Sequence, residues 1–319
     1  RLGLGVGCGQ VTAWVDDDER AWAIGRNGRG STRGQLREQA AAERVAEREE
    51  IHPVVQQLPG HPGIAGGQGQ WAAGGQRAQG RAESRRQELV EEDRPEALQR
   101  VRGTRLVAEA AAALPRPPRV LVCASAIGFY GDRGTEVLDE TSAPGSGFLA
   151  DVCRQWEAAA EPARAAGIRV VHLRFGVVLS SAGGALATML LPFRLGVGGV
   201  LGAGTQYLGW IAIDDAIGIV LRALADERLH GPVNAVAPNP VTNREYTTTL
   251  GGVLGRPTFL GVPAFAARLA FGETADALLL ASTRVVPRVL DDAGHAFRFP
   301  ELAPALRHLL GVAPDAPAG

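Results

Sequence analysis

In the middle of the chain, amphipathic helical segments alternate with short runs of continuously apolar residues. Helical spacing of apolar residues predicts a helix over Gly103–Ala113, and the apolar run Arg119–Ser125 predicts a strand that is buried on both faces. The pair recurs as a helix over Phe148–Ala166, bent at Pro162, followed by a strand over Ile168–Leu173. Because strands joined by helical crossovers lie parallel, this order indicates an α/β protein with a parallel sheet.

The alternation continues further along the chain. Trp210–Ile213 is predicted as a short strand, and Asp214 or Asp215 is expected to cap a helix that runs to about Asp226. Pro232–Val236 then returns to extended chain. The fold class predicted from this alternation is α/β.

The first 100 residues have a different composition. All nine Phe and all three Tyr lie after residue 100, whereas the first 100 residues are rich in Gln, Gly, Arg and Glu. This part reads as low complexity and predicts either solvated helices or an unstructured segment. A GxxGxxG spacing at Gly63, Gly66 and Gly69 has no convincing strand before it, so we interpret it as a product of composition.

Charge and composition exclude several classes of function. The net charge of −1, the pI near 6.7 and the 45% content of hydrophobic residues argue against a nucleic-acid partner. The chain has no run of 18 apolar residues, so no membrane span is predicted. Its three cysteines include no CxxC pair, which predicts a reducing, cytoplasmic compartment. The chain contains no Lys, which excludes Schiff-base chemistry and a Tyr-x-x-x-Lys pair. The expected partner is a small-molecule substrate, and the oligomeric state is left open.

Several motifs in the second part occur in one order. They are SAIGFYGD (125–132), FLADVCRQWEAAA (148–160), LRFGVVLS (173–180), GGALATMLLPFRLGVGG (183–199), WIAIDD (210–215), GPVNAVAPNPVTNREY (231–246) and the tail 263–310. From about Val101 to Gly311 the chain resembles the uncharacterised "epimerase family" of atypical extended short-chain dehydrogenase/reductases. Those proteins are similar to nucleotide-sugar epimerases and carry their own C-terminal domain of unknown function.

The resemblance implies a doubly wound Rossmann-like parallel sheet with a small C-terminal region on the substrate side, and it implies a cofactor. Residues 101–240 would be the second half of a Rossmann-like domain, 241–319 the family-specific C-terminal region, and NADP(H) the cofactor. The family opens with strands and a GxxGxxG turn that residues 1–100 do not show, so the dinucleotide-binding fingerprint is not found in this chain. We also expect that the strand after Pro118 has one unpaired edge.

A shifted reading frame would explain the mismatch. We hypothesise that residues 1–100 translate a GC-rich gene out of frame and that the true frame begins just before Val101. Translating the upstream DNA in its other frames tests this, and it fails if neither frame gives a strand followed by GxxGxxG.

Ser125 and Tyr130 are the candidate catalytic residues. In the family resemblance Ser125 stands where a Ser or Thr hydrogen-bonds a substrate oxygen, although an alignment on Tyr130 moves that place to Ala126. A Ser that satisfies local backbone groups is the alternative. The superfamily Tyr and Lys would fall on apolar pairs, Phe148 with Val152 or Leu149 with Cys153. Tyr130 could replace that Tyr as proton donor, and a packed aromatic is its other interpretation.

The remaining candidates divide into cofactor and substrate contacts. The expected cofactor contacts are Ala124 and Ser125, at the end of one predicted strand, and Arg174, Phe175 and Gly176, directly after the next. A structural ion pair is the alternative for Arg174. Gln206, Trp210 and Arg244 are expected to face the substrate cleft. No metal site is expected, since the six His show no ligand spacing.

The predicted function is that of an NADP(H)-dependent oxidoreductase or epimerase-like protein acting on a nucleotide-sugar or a similar polar substrate. The alternative is a non-catalytic nucleotide-sensing or cell-division-associated scaffold on the same fold. A chain that cannot bind cofactor is a third interpretation, because the fingerprint is missing.

Overall fold

The computed structural model describes residues 12–15, 21–24, 97–263 and 281–313. The helices, in chain order, are α1 (97–112), α2 (Phe148–Ala158), α3 (Glu161–Ala165), α4 (Gly184–Arg194), α5 (Ile213–Ala225), α6 (Asn243–Leu254), α7 (Arg288–Asp292) and α8 (Leu302–Leu310). The strands are β1 (Thr12–Val15), β2 (Ala21–Ile24), β3 (Val120–Ala126), β4 (Val137–Leu138), β5 (Arg169–Phe175), β6 (Val177–Leu179), β7 (Gly199–Leu201), β8 (Tyr207–Leu208), β9 (Trp210–Ala212), β10 (Gly231–Ala235), β11 (Val241–Thr242), β12 (Leu260–Val262) and β13 (Arg284–Val285). The glycine motif at 63–69 lies outside the described residues.

The main sheet has the strand order β10-β5-β3-β1-β2. Its strands β10, β5 and β3 are parallel, as their apolar sequences predict, whereas β1 runs antiparallel to both β3 and β2. The parallel part, with helical crossovers, confirms the α/β Rossmann-like fold.

The prediction that β3 has an unpaired edge is wrong. Thr12 to Val15 lie opposite Cys123 to Val120 in antiparallel register, so β1 takes up the free hydrogen-bonding groups of that edge. The expectation of solvated helices or an unstructured segment in residues 1–100 is likewise corrected at β1 and β2, which are strands. No sequence pattern distinguished these four-residue strands from their surroundings.

Helices cover both faces of the parallel strands. One face packs Val122, Val171 and Val233 against α5 and α7. The other packs Leu121 and Val170 against α1 and the α2–α3 segment. Because both faces are covered, β3 and β5 are apolar along most of their length.

Two predicted helices differ in detail. The long helix ending at Ala166 is two helices, because the chain breaks before Pro162, which occupies the first turn of α3. The helix α5 begins at Ile213, and Ala212 rather than an aspartate is its N-cap. Asp215 instead accepts hydrogen bonds from the backbone N–H groups of Arg298 (2.7 Å) and Phe299 (2.9 Å).

The C-terminal region forms a second apolar cluster. Helices α4, α6 and α8 pack around the buried rings of Trp210 and Tyr246. The helix α6 starts with a capping box, in which Thr242 accepts from the Glu245 N–H and the Glu245 carboxylate accepts from the Thr242 N–H. Arg244, expected from the sequence to face the substrate cleft, therefore lies in the first turn of this helix. Within the described residues no helix is long and apolar enough to cross a membrane.

Candidate functional site

Three polar side chains form a row across the carboxyl ends of the parallel strands. Ser125 of β3, Arg174 of β5 and Asn234 of β10 are direct register partners, and all three are buried. Ligands of open α/β sheets bind outside the carboxyl ends of the strands, so this row lies next to the expected site.

Glu157 of α2 neutralises the centre of the row. Its Oε1 accepts from Arg174 Nε (2.8 Å) and its Oε2 from Arg174 Nη2 (2.9 Å), and the Ser125 hydroxyl donates to Oε1 (2.7 Å). Burial opposes ionisation of the carboxyl group, but the two bonds from Arg174 hold the pKa of Glu157 below its ordinary value. The Arg174 guanidinium thus forms the structural ion pair, and its role as a cofactor contact stays a prediction.

Tyr130 contacts the row on the side of β10. Its hydroxyl donates to Asn234 Oδ1 (2.7 Å) and accepts from Arg174 Nη1 (3.0 Å). Burial raises the pKa of Tyr130 to about 12, although the nearby Arg174 acts in the opposite direction. The phenol is fully buried and both of its partners are internal, which is the geometry of the packed aromatic. The proposed catalytic role of Tyr130 stays a prediction.

Glu140 extends the polar row to the backbone of β10. Its Oε1 accepts from the N–H groups of Asn234 (2.9 Å) and Val289 (3.3 Å), and its buried Oε2 has no hydrogen-bond partner in the described part of the chain. Burial raises the pKa of Glu140.

A second buried pair lies one step deeper on the same sheet face. Cys123 and His172 are register partners, and burial raises the pKa of the Cys123 thiol to about 12 and lowers the pKa of His172 to about 4. The Cys153 thiol, also buried, has its pKa raised to about 11 by burial. All three groups are therefore uncharged at neutral pH. The described residues contain no group of three or more His, Cys, Asp and Glu placed to hold a metal ion.

The strand ends present a different surface on the opposite face. Ala124 and Ala126 are half-buried, whereas the strand before them is buried, and Ala126 is the register partner of the half-buried Phe175. Small side chains next to a flat ring leave room for a planar group against the strand ends. Packing explains why residue 176 is a glycine, because a Cβ there would lie 2.6 Å from the Gly209 carbonyl oxygen.

Two of the three predicted substrate contacts share one loop, and the third is a buried ring of the C-terminal apolar cluster. Gln206 donates to the carbonyl of Leu201 (3.2 Å) and Arg244 to that of Ala203 (3.0 Å), so these two share one loop. Trp210 is fully buried and donates to the Asn239 carbonyl (3.1 Å). The substrate role of all three stays a prediction.

Sequence analysis missed Glu157 and Asn234. Glu157 follows Leu149 and Cys153 at intervals of four on one face of α2, which places a carboxylate on a face that is otherwise directed at the core. A charged residue at that position requires a buried partner, and Arg174, which follows the apolar run of β5, was an available candidate.

Comparison with known proteins places these features in a family. Residues 262–309 match the family described as "Domain of unknown function (DUF1731)". An epimerase family protein of Mycobacterium bovis is 46% identical over 186 residues, which are 58% of this chain and 62% of that protein. Human epimerase family protein SDR39U1 is 39% identical over 213 residues, which are 66% of this chain and 72% of the human protein. The chain thus spans 62% of the length of its mycobacterial relatives.

Two solved structures extend the comparison. Human SDR39U1 crystallised with NADPH has a TM-score of 0.64 and 37% identity, with coverage of 67% of this chain and 73% of that chain. A nucleoside-diphosphate sugar epimerase from Corynebacterium glutamicum has a TM-score of 0.57 and 41% identity, with coverage of 68% and 43%.

Proposed function

Since the chain belongs to the epimerase family that includes human SDR39U1, we propose that it binds NADP(H) at the carboxyl edge of its parallel sheet. The observation that carries the proposal is the pair of half-buried alanines, Ala124 and Ala126, beside Phe175 at the strand ends. The human relative, which was crystallised with NADPH, supports the choice of cofactor.

The described residues suit the nicotinamide half of the cofactor. Ala124 and Ala126 would let the ring approach the backbone of β3, and Phe175 would border it. The row behind them is neutralised internally, because the carboxylate of Glu157 balances the guanidinium of Arg174. The pyrophosphate would need backbone N–H groups of a glycine-rich turn, for which the described residues offer no counterpart.

The proposed activity is hydride transfer in oxidation, reduction or epimerisation of a nucleotide-sugar or similar polar substrate. NADP(H) supplies or accepts the hydride when it is bound. Ser125 would act by position only, because its single proton is donated to Glu157 and its lone pairs remain to accept a hydrogen bond. The name of the Corynebacterium relative supports the nucleotide-sugar class.

A second candidate is nucleotide binding without turnover. It is favoured by the bonding of the two hydroxyl groups, since Ser125 and Tyr130 both donate to protein groups and neither proton is available to a substrate. On this proposal the protein would report cofactor levels through binding alone.

Calorimetric titration of the whole chain with NADPH and then NADH tests the shared premise. We expect micromolar binding of NADPH that is weakened in Ala126→Leu, because the larger side chain fills the space beside Phe175. The control is Ala185→Leu, the same change at an exposed position of α4. No binding by folded, monodisperse protein would overturn the proposal. Cofactor turnover with a panel of nucleotide sugars then favours the first candidate, and binding without turnover favours the second.

A further inference from the structure

Arg284 is a half-buried arginine whose guanidinium has no hydrogen-bond acceptor among the described residues. Its guanidinium carbon lies 4.8 Å from the ring centroid of Tyr207, and its buried Nε has no hydrogen-bond partner among the described residues. The described residues supply no ion-pair partner to it either. By contrast, Arg174 and Arg169 each direct three hydrogen bonds at protein oxygens. Buried donors are nearly always satisfied, so the Nε of Arg284 is an exception, and the terminal nitrogens of the half-buried guanidinium have no acceptor among the described residues and can bind a ligand group.

The strand that carries Arg284 reaches the carboxyl edge of the sheet. The Thr283 N–H donates to the Tyr207 carbonyl (3.1 Å), which places this segment beside β8. A Cβ on Gly209 would lie 2.8 Å from Cδ1 of Ile127 and 3.6 Å from the Thr283 carbonyl oxygen. Gly209 in turn meets Gly176. The segment therefore lies against Tyr207 and Gly209, and Gly209 contacts the residues that directly follow β3 and β5, next to the proposed nicotinamide position.

The backbone before Arg284 is fixed on several sides. Ser282 donates from its N–H to the Asp132 carboxylate (3.2 Å) and from its hydroxyl to the Gly134 carbonyl, and it accepts from the Arg133 N–H (3.0 Å). Arg284 itself pairs in register with Val137. A guanidinium that is stacked on a ring and held by a fixed backbone loses little conformational freedom when it binds.

We propose that Arg284, held against Tyr207, binds an oxyanion group, phosphate or carboxylate, of the substrate. The guanidinium fork matches two oxygens of either group, and the Tyr207 ring faces the cation. The inference rests on the proposed function, because it places the substrate's charged group beside the nicotinamide. It assigns the oxyanion to the substrate and not to the phosphates of the cofactor.

Calorimetry of the full chain with sodium pyrophosphate tests the site. We expect millimolar or tighter binding that falls by about tenfold or more in Arg284→Gln, as the loss of a charged hydrogen-bond pair implies. Arg284→Lys keeps the charge but loses the two-pronged geometry of the guanidinium, so its pyrophosphate affinity should lie between that of the original chain and that of Arg284→Gln. The matched control is Arg288→Gln, four residues further on, whose partner is the Asp139 carboxylate. It should leave pyrophosphate affinity within about twofold of the original chain.

A parallel titration with NADPH separates the two sources of phosphate. The site belongs to the substrate if Arg284→Gln loses pyrophosphate but keeps NADPH affinity. An equal loss of both would make Arg284 a cofactor contact and overturn the inference, and so would pyrophosphate binding that is absent or unchanged by the substitution. If no variant binds NADPH while pyrophosphate binding still depends on Arg284, the proposed function fails and the anion site remains. The midpoint of thermal unfolding shows that each variant is folded.

Discussion

The carboxylate of Glu157 and the guanidinium of Arg174 are removed from water together, so each depends on the other. Glu157→Ala leaves a buried positive charge without its partner, and we expect it to lower the free energy of unfolding by about 3 to 5 kcal/mol. Urea unfolding followed by circular dichroism measures this change.

Glu161→Ala is the control for that substitution. Glu161 and Arg164 form an ion pair within the next helix, α3, but both side chains are more than half exposed. The loss in free energy of unfolding should therefore stay below about 1 kcal/mol. Equal effects of the two substitutions would mean that the buried pair contributes no more than a surface pair.

His172 should make stability depend on pH in a defined window. Its pKa is about 4 when folded, lowered by burial from 6.5. Between those values the unfolded chain binds a proton that the folded chain does not, so stability falls as the pH decreases from 6.5 to 4. His172→Phe should remove up to about 3 kcal/mol of that dependence.

Unfolding of both proteins at several pH values between 4 and 7 measures the difference. The control is His230→Phe, because His230 is exposed. An unchanged slope in His172→Phe would show that other groups cause the acid sensitivity.

At this scale the sequence indicates residue types but not their partners. Ser125 and Tyr130 were selected through the family resemblance and Arg174 from its position after a strand, and the structure brings all three into one network. Their partner Glu157 was missed because pairing across 17 residues depends on how α2 packs against β5, which no local pattern states.

Among the secondary-structure elements, the junction of β5 and β6 is packed against the chain before β9. Gly176→Ala would place a Cβ 2.6 Å from the Gly209 carbonyl oxygen, so backbone has to move. We expect a loss of about 1 to 3 kcal/mol in the free energy of unfolding, the usual range for overpacking.

Gly218→Ala is the opposite case within α5. A Cβ there meets nothing within 4 Å, and alanine favours the helix, so we expect a gain of up to about 1 kcal/mol. Chemical unfolding of both variants gives the comparison. A stable Gly176→Ala protein would contradict the close contact between the two segments.

The alternation of apolar runs and helical segments was sufficient to locate the main elements. It failed at their ends, because Asp214 and Asp215 are typical helix caps by type and yet serve other partners. Asp215 binds the backbone before α8, and Asp214 pairs with Arg298 (3.2 Å) and lies 3.4 Å from His308. The start of α6 was signalled by Thr242 and Glu245, a spacing that sequence analysis overlooked.

For the whole molecule, β1 is the element that separates β3 from solvent at its edge. A chain without residues 1–25 exposes the hydrogen-bonding groups of Val120 to Cys123, and we expect it to self-associate. Light scattering after size-exclusion chromatography, at the concentration of the full chain, measures this. A truncated chain that elutes as the same species as the full chain would contradict the role of β1.

The family and the Rossmann-like half were predictable because their motifs lie in one order over 101–311. The first 100 residues were not, since two four-residue strands carry too little pattern to be read. The shifted-frame hypothesis stays a prediction, and residues 26–96 lie outside the described part.

The row of Ser125, Arg174 and Asn234 has a consequence for how such chains diverge. The three residues of the row and Glu157 lie on four elements that are distant in sequence. A substitution of Glu157 or Arg174 nevertheless leaves the other charge buried without its partner. We therefore expect the two positions of the charged pair to change together during evolution. Across relatives, position 157 is expected to be acidic where position 174 is basic, and both are expected to become apolar in the same lineages.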